Sequence, residues 1–90
     1  MEFEWDPRKD TSNKTKHGVS FSQSQEAFFD PNRSIAKDTK HSTPQEQRFF
    51  CFAKVDDRVL TVRFTIRNGR IRIFVAGFWR EGKELYDQER

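Results

Sequence analysis

Arg63-Phe64-Thr65-Ile66-Arg67-Asn68-Gly69-Arg70-Ile71-Arg72-Ile73-Phe74 is the stretch on which the fold turns. Two alternating segments flank Asn68-Gly69, a pair that readily takes the two positive-φ positions of a two-residue hairpin turn. Such a turn pairs Arg67 with Arg70, Ile66 with Ile71, Thr65 with Arg72, Phe64 with Ile73 and Arg63 with Phe74. Side chains alternate across a strand. One face therefore carries Leu60, Val62, Phe64, Ile66, Ile71, Ile73 and Val75, and is the expected core. The other carries Thr61, Arg63, Thr65, Arg67, Arg70, Arg72 and Phe74. Like charges opposite each other weaken a sheet by a few tenths to about 1 kcal/mol, so folding alone does not choose this arginine-rich face.

Upstream of the hairpin, Gln45 to Val55 also reads as a strand. A tight turn at Asp56-Asp57 sets Glu46 opposite Arg67, Arg48 opposite Thr65 and Phe50 opposite Arg63. A short strand is expected at Ser34 to Lys37 and a short strand or extended arm at Phe3 to Trp5. Asp6-Pro7 reads as an N-cap followed by proline at the first helical position, and Gly18 as the cap that ends the helix after His17. Ser20 and Gln23 fit a capping box for a second short helix, with Phe21, Phe28 and Phe29 on its apolar side. Arg80 to Arg90 reads as a last helix with Leu85 and Tyr86 inward. The expected fold is α+β: two N-terminal helices, a three- to four-stranded antiparallel sheet and a C-terminal helix.

The 90 residues make one domain. Only 33% are hydrophobic, with a mean hydropathy of −0.98, yet ten Phe, two Trp and one Tyr supply the apolar area of a thin core. The longest apolar run, Ile73 to Trp79, is far short of the roughly 20 residues of a membrane helix, so no membrane partner is expected. Met1-Glu2-Phe3-Glu4 lacks the features of a signal peptide, and a single cysteine, Cys51, suits a reducing cytoplasm. Cys51, His17 and His41 are too scattered for a structural metal site, and no metal or cofactor is expected. Gly-rich phosphate loops and Ser-His-Asp arrangements are absent.

The net charge of +3 conceals a polarity. Between Arg58 and Arg80 stand six arginines and no acidic residue. Arginines with neighbouring rings on an open sheet suit single-stranded nucleic acid, cations meeting phosphates and rings meeting bases. The plain alternative is a solvated face whose arginine stems cover apolar surface. RNA cleavage without a metal needs a base for the 2′-hydroxyl, an acid for the leaving oxygen and cations for the developing charge. Glu46 is a candidate base, or else an ordinary ion-pair partner of Arg67. His17 is a candidate acid or base, or else a dipole partner at a helix end. His41, in a polar connector, is less readable. Trp79 can stack a base or pack the last helix.

Phe3-Glu4-Trp5-Asp6-Pro7, Lys9, Asn13, Lys16-His17-Gly18-Val19-Ser20-Phe21 and Phe29-Asp30-Pro31 resemble the BrnT family of toxins. So do His41-Ser42, Glu46, Arg48, Arg58, Leu60, Thr65, Arg67 and Ile71-Arg72-Ile73, and the likeness runs from residue 3 to about 86. It implies a RelE-like ribonuclease toxin of a type II toxin–antitoxin pair. Such a toxin cleaves RNA, arrests translation, and is neutralised by BrnA, a ribbon-helix-helix antitoxin through which alone it reaches DNA. On the hairpin register together with this resemblance, His17, Glu46, Arg63 and Arg67 are the expected catalytic residues. Lys16, Arg48, Arg70, Arg72, Phe74, Trp79, Arg80 and Lys83 are expected to contact RNA. One segment departs from the pattern: Val75 and Gly77 stand where the family carries serine and arginine. Either Trp79, Arg80 and Lys83 take over RNA contact, or the chain is a non-catalytic toxin-fold protein that binds its antitoxin and helps regulate the operon.

Overall fold

A computed structural model describes residues 1–89. Five strands, β1 (Phe3–Glu4), β2 (Ser34–Lys37), β3 (Arg48–Val55), β4 (Arg58–Arg67) and β5 (Arg70–Gly77), form one sheet in the order β1-β5-β4-β3-β2. The class is α+β, as expected, but the sheet is larger and mixed. Its antiparallel meander β2–β5 gains a fifth strand because the N-terminal arm runs parallel to β5, pairing Phe3 with Ile71 and Glu4 with Arg72. Among the described residues no helix is long and apolar enough to cross a membrane.

Helix α1 spans Pro7–His17. The Asp6 carboxylate accepts from the Arg8 amide at 2.9 Å, and Gly18 closes the other end at φ 70° with its amide donating to Lys14 O. Its residues are almost all polar, so packing alone cannot hold it. Asn13 does so instead: buried at 4% exposure, it donates to Val19 O and Ala76 O and accepts from the Ala76 amide. Asp10 adds a bond from the Phe21 amide.

Helix α2 (Phe21–Ser24) is one turn continued as a 3-10 segment, Gln25–Phe29. Ser20 Oγ accepts from the Gln23 amide, but the Gln23 side chain donates to Asp56 rather than returning to the cap, so only half of the expected capping box forms. The tighter winding rotates Phe29 out to 66% exposure while Phe28 stays buried. Helix α3 covers Arg80–Gln88 and stops at Glu89, its C-cap, short of the expected end at Arg90, which lies outside the described residues; Tyr86 is buried, whereas Leu85 is 41% exposed.

Both expected turns form. Asn68 and Gly69 have φ of 53° and 75°, and Asp56 and Asp57 have φ of 52° and 65°. Arg67 pairs with Arg70, Ile66 with Ile71, Thr65 with Arg72 and Phe64 with Ile73. The Arg63–Phe74 pair does not form. A bulge between Arg63 and Phe64 sets Arg63 opposite Val75, so Phe74 and Val75 both accompany the arginine face and fully buried Ala76 takes Val75's expected place in the core. Ile66 is also lost from the core, since at the hairpin tip no helix reaches it and it is 61% exposed.

The main core lies between one sheet face and α1, α2 and the 3-10 segment, around Phe21, Phe28, Leu60, Val62, Phe64 and Ile73. On the opposite face, α3 covers one end only, where Tyr86 meets Phe52 and Val59. That closeness needs Gly82, because a Cβ there collides with the Thr61 hydroxyl. The other end of this face is left uncovered by helix, and it carries the arginines.

Candidate functional site

Arg48 and Phe50 of β3, Arg63, Thr65 and Arg67 of β4, and Arg72 of β5 share this face through the pairs Arg48–Thr65, Phe50–Arg63 and Thr65–Arg72. The strand expected over 45–55 begins only at Arg48; Thr43 and Glu46 close a tight loop by mutual backbone bonds. Thr65 Oγ1 donates to Gln47 O at 2.6 Å and ties that loop onto the sheet. Glu46 thereby still reaches the position the register implies. Its Oε2 accepts from Arg67 Nη2 at 2.7 Å and its Oε1 from Arg48 Nε at 3.0 Å. The Arg67 bond, aided by Arg48 and opposed by partial burial, holds the Glu46 carboxyl below its usual range.

The arginine segment lacks acidic residues in sequence, yet the fold brings carboxylates to it from elsewhere. Arg72 donates to Glu4 of the parallel β1 at 2.8 Å, and Arg70 to Glu2, just before that strand, at 2.9 Å. These partners offset the like-charge pairing of Arg67 and Arg70.

The most buried ion pair lies at Asp38, just past β2. Asp38 is 3% exposed, and its Oδ2 accepts from Arg63 Nη2 at 3.0 Å and faces His41 Nδ1 at 2.9 Å. Burial pushes the Asp38 carboxyl up, but the bonds from His41 and Arg63 outweigh it and hold the carboxyl below its usual range. An ionised partner at Nδ1 favours the tautomer protonated there, leaving Nε2 as the free acceptor. The segment is stitched down: the Asp38 amide donates to Arg48 O, Ser42 Oγ to Asp38 O, and the Arg48 amide to Ser42 Oγ.

On the far side of Arg63, across Val75, a shallow depression of about 180 Å³ is lined by Lys9, Lys16, His17, Phe74 and Val75. The Arg48 guanidinium lies 4.2 Å and Lys9 Nζ 5.4 Å from the Phe74 ring, joining this depression to the arginines. The His17 ring meets Trp79 edge-on at 5.1 Å. The two histidines thus flank the arginine strip, His41 from the β2 side and His17 from α1.

Gly77 is explained by Trp79: a Cβ at 77 would lie 2.5 Å from the indole. Arg80 and Lys83 are not brought to the arginine face. They pair along α3 with Glu84 and Asp87 and line a separate groove with Lys54, Arg58 and Phe78. Sequence reasoning missed Asp38 altogether and left His41 unread. The available signal was the Asp-x-x-His spacing at 38–41, which lets a carboxylate turn back on the following ring.

No curated protein matches the chain. The model of the family described as the ribonuclease toxin BrnT of type II toxin–antitoxin systems matches residues 5–81, which takes in Asp38, His41, Glu46 and every arginine of the face. The chain therefore belongs to the BrnT family of type II ribonuclease toxins, whose systems pair the toxin with an antitoxin.

Proposed function

We propose that this chain, a single RelE-like toxin domain over residues 1–90, is a metal-independent endoribonuclease that acts on single-stranded RNA in the cytoplasm and inhibits translation. The observation that carries the reading is the open strip of Arg48, Arg63, Arg67 and Arg72 with a histidine at each side, one of them held by a buried carboxylate.

At Arg67, whose pair with Glu46 lies at the surface, a phosphodiester replaces the carboxylate at little cost, since such pairs are worth only about 0–1 kcal/mol. Arg63 keeps its bond to buried Asp38 and meets the phosphate with its remaining N–H donors. In the reaction the ribose 2′-oxygen attacks phosphorus and the P–O5′ bond breaks. One imidazole takes the 2′-hydroxyl proton and the other gives a proton to the 5′-oxygen, leaving a 2′,3′-cyclic phosphate and a 5′-hydroxyl. His41, with Nδ1 occupied by Asp38 and Nε2 free, is suited to the base role, and His17 to the acid. Positioned acid–base groups typically contribute about 10²–10⁴-fold. Arg63 and Arg67 stabilise the charge growing on the phosphoryl oxygens. Glu46, held ionised by two arginines, is a weak base and serves to orient them. Arg70, Lys16 and Phe74 extend the RNA-binding surface; Arg80 and Lys83 stand outside it. The antitoxin is a BrnA-like ribbon-helix-helix protein, and contact with DNA is made only through it.

A second reading has its own observation. Arg48, Arg63, Arg67, Arg70 and Arg72 all carry intramolecular carboxylate partners, as in a toxin-fold protein that only binds its antitoxin. Incubating the purified chain with 5′-labelled single-stranded RNA in excess EDTA separates the two. Fragments ending in cyclic phosphate are the expected result. Intact RNA, together with unimpaired growth of cells expressing the chain alone, decides for the second reading.

A further inference from the structure

Between α3 and the arginine strip lies a second, larger cleft of about 500 Å³, within the roughly 300–1,000 Å³ of small-ligand sites. Phe50, Phe52, Thr61, Arg63, Val75 and Trp79 line it. The Phe50 and Phe52 rings lie nearly parallel, 5.6 Å apart at 15°, as flat apolar surface along one strand. Trp79 borders the cleft from the segment leading into α3, seated on Gly77 and braced by His17. Thr61 Oγ1, buried in the floor beneath Gly82, has no hydrogen-bond partner among the described residues.

Arg63 belongs to both sites. Its guanidinium bonds to Asp38 beside His41 and also stands 5.6 Å from the Phe50 ring centroid. A phosphate held at Arg63 therefore has the aromatic cleft next to it. From these features we propose that the cleft is a nucleobase pocket, which takes the unpaired base of a nucleotide adjoining the phosphate on the arginine strip. The inference rests on the RNA reading above and adds a base-recognition site to it.

The cleft's own chemistry favours this occupant. Its walls are aromatic, and every base offers a π-face to stack. Lys37 and Arg63 lie at it with one carboxylate, Glu81, which suits the base of a polyanion better than a purely apolar segment.

The test measures binding of a fluorescently labelled, non-cleavable 2′-O-methyl tetranucleotide by anisotropy, against the same strand made abasic at one internal position. Wild type is expected to bind the complete strand at least about tenfold more tightly, the size of one base–aromatic stack. In a Trp5→Phe background, the complete strand and not the abasic one quenches Trp79 fluorescence. Phe50→Leu, which keeps an apolar side chain, is expected to bring the complete strand down to the abasic affinity while leaving the abasic affinity unchanged. Equal wild-type affinity for the two strands overturns the pocket and leaves RNA binding by the arginines standing. Failure to bind either strand at low salt overturns both the pocket and the RNA reading.

Discussion

Asp38 Oδ2 accepts a 3.0 Å hydrogen bond from Arg63 Nη2, although the two residues stand 25 apart in the chain, Asp38 just past β2 and Arg63 in the middle of β4. The carboxylate is 3% exposed and also faces His41, so one buried charge positions both a cation and an imidazole at the same open face. Removing half of a buried pair leaves the other half unsatisfied, which is where such an arrangement is most sensitive.

Asp38→Asn is expected to lower stability by about 1–3 kcal/mol and cleavage by at least about tenfold, because Arg63 and His41 both lose their anchor. The pH dependence has a definite sign. Asp38 and Glu46 both titrate below their ordinary values, 3.8 and 4.5, in the folded chain. Their stabilisation is complete above those ordinary values and is lost as the pH falls through the lower folded ones. Thermal denaturation followed from pH 6 down to about pH 3 checks this: the wild type loses stability on acidification, and Asp38→Asn loses less.

Arg67→Ala is expected to cut RNA cleavage by about 10²–10³-fold, the usual cost of one donor to a developing anion. The side chain is 44% exposed and its pair with Glu46 is a surface one, so the unfolding free energy should change by less than about 1 kcal/mol. Parallel cleavage assays and urea melts make the comparison. A stability loss large enough to explain the lost activity assigns Arg67 a structural role instead.

His41→Ala is expected to slow cleavage by about 10²–10⁴-fold while leaving affinity for a non-cleavable RNA within about twofold of wild type. The same pair of measurements on His17→Ala tests the partner role. Equal loss of binding and cleavage in either variant identifies that histidine as an RNA contact rather than a proton carrier.

Asn13→Ala is expected to destabilise the fold by about 1–3 kcal/mol, because the Val19 and Ala76 backbone groups it satisfies are buried. Helix α1 has little apolar packing to compensate. Chemical denaturation with a helix-sensitive readout measures the loss.

Cys51 is fully buried beneath the 3-10 segment, and burial pushes its thiol up to about 12. A thiol reagent that needs the thiolate is therefore expected to leave Cys51 untouched at neutral pH until the protein unfolds. Rapid labelling under native conditions would place Cys51 in a segment that opens locally.

Local signals carried far in this chain because they are decided within a few residues. Asp6-Pro7 and Gly18 bound α1, Asn68-Gly69 and Asp56-Asp57 make the two turns, and period-2 alternation sets the register from Arg67–Arg70 to Phe64–Ile73. Arg48 opposite Thr65 and Phe50 opposite Arg63 followed from the same arithmetic. The arginine face was legible for this reason, as was the place of Glu46 beside Arg67.

What local pattern cannot encode is a contact between distant segments. The bulge that turns Val75 out and Ala76 in, the parallel pairing of β1 that brings Glu2 and Glu4 to Arg70 and Arg72, and the reach of Asp38 to Arg63 all depend on packing across the finished sheet. The sequence by itself determined which residues line the arginine strip, since strand periodicity and two turns suffice for that. Tertiary structure alone decided which carboxylates neutralise it, which histidine is held ready beside it, and that α3 stops short of covering it, because those outcomes come from side chains meeting across long loops rather than along one strand.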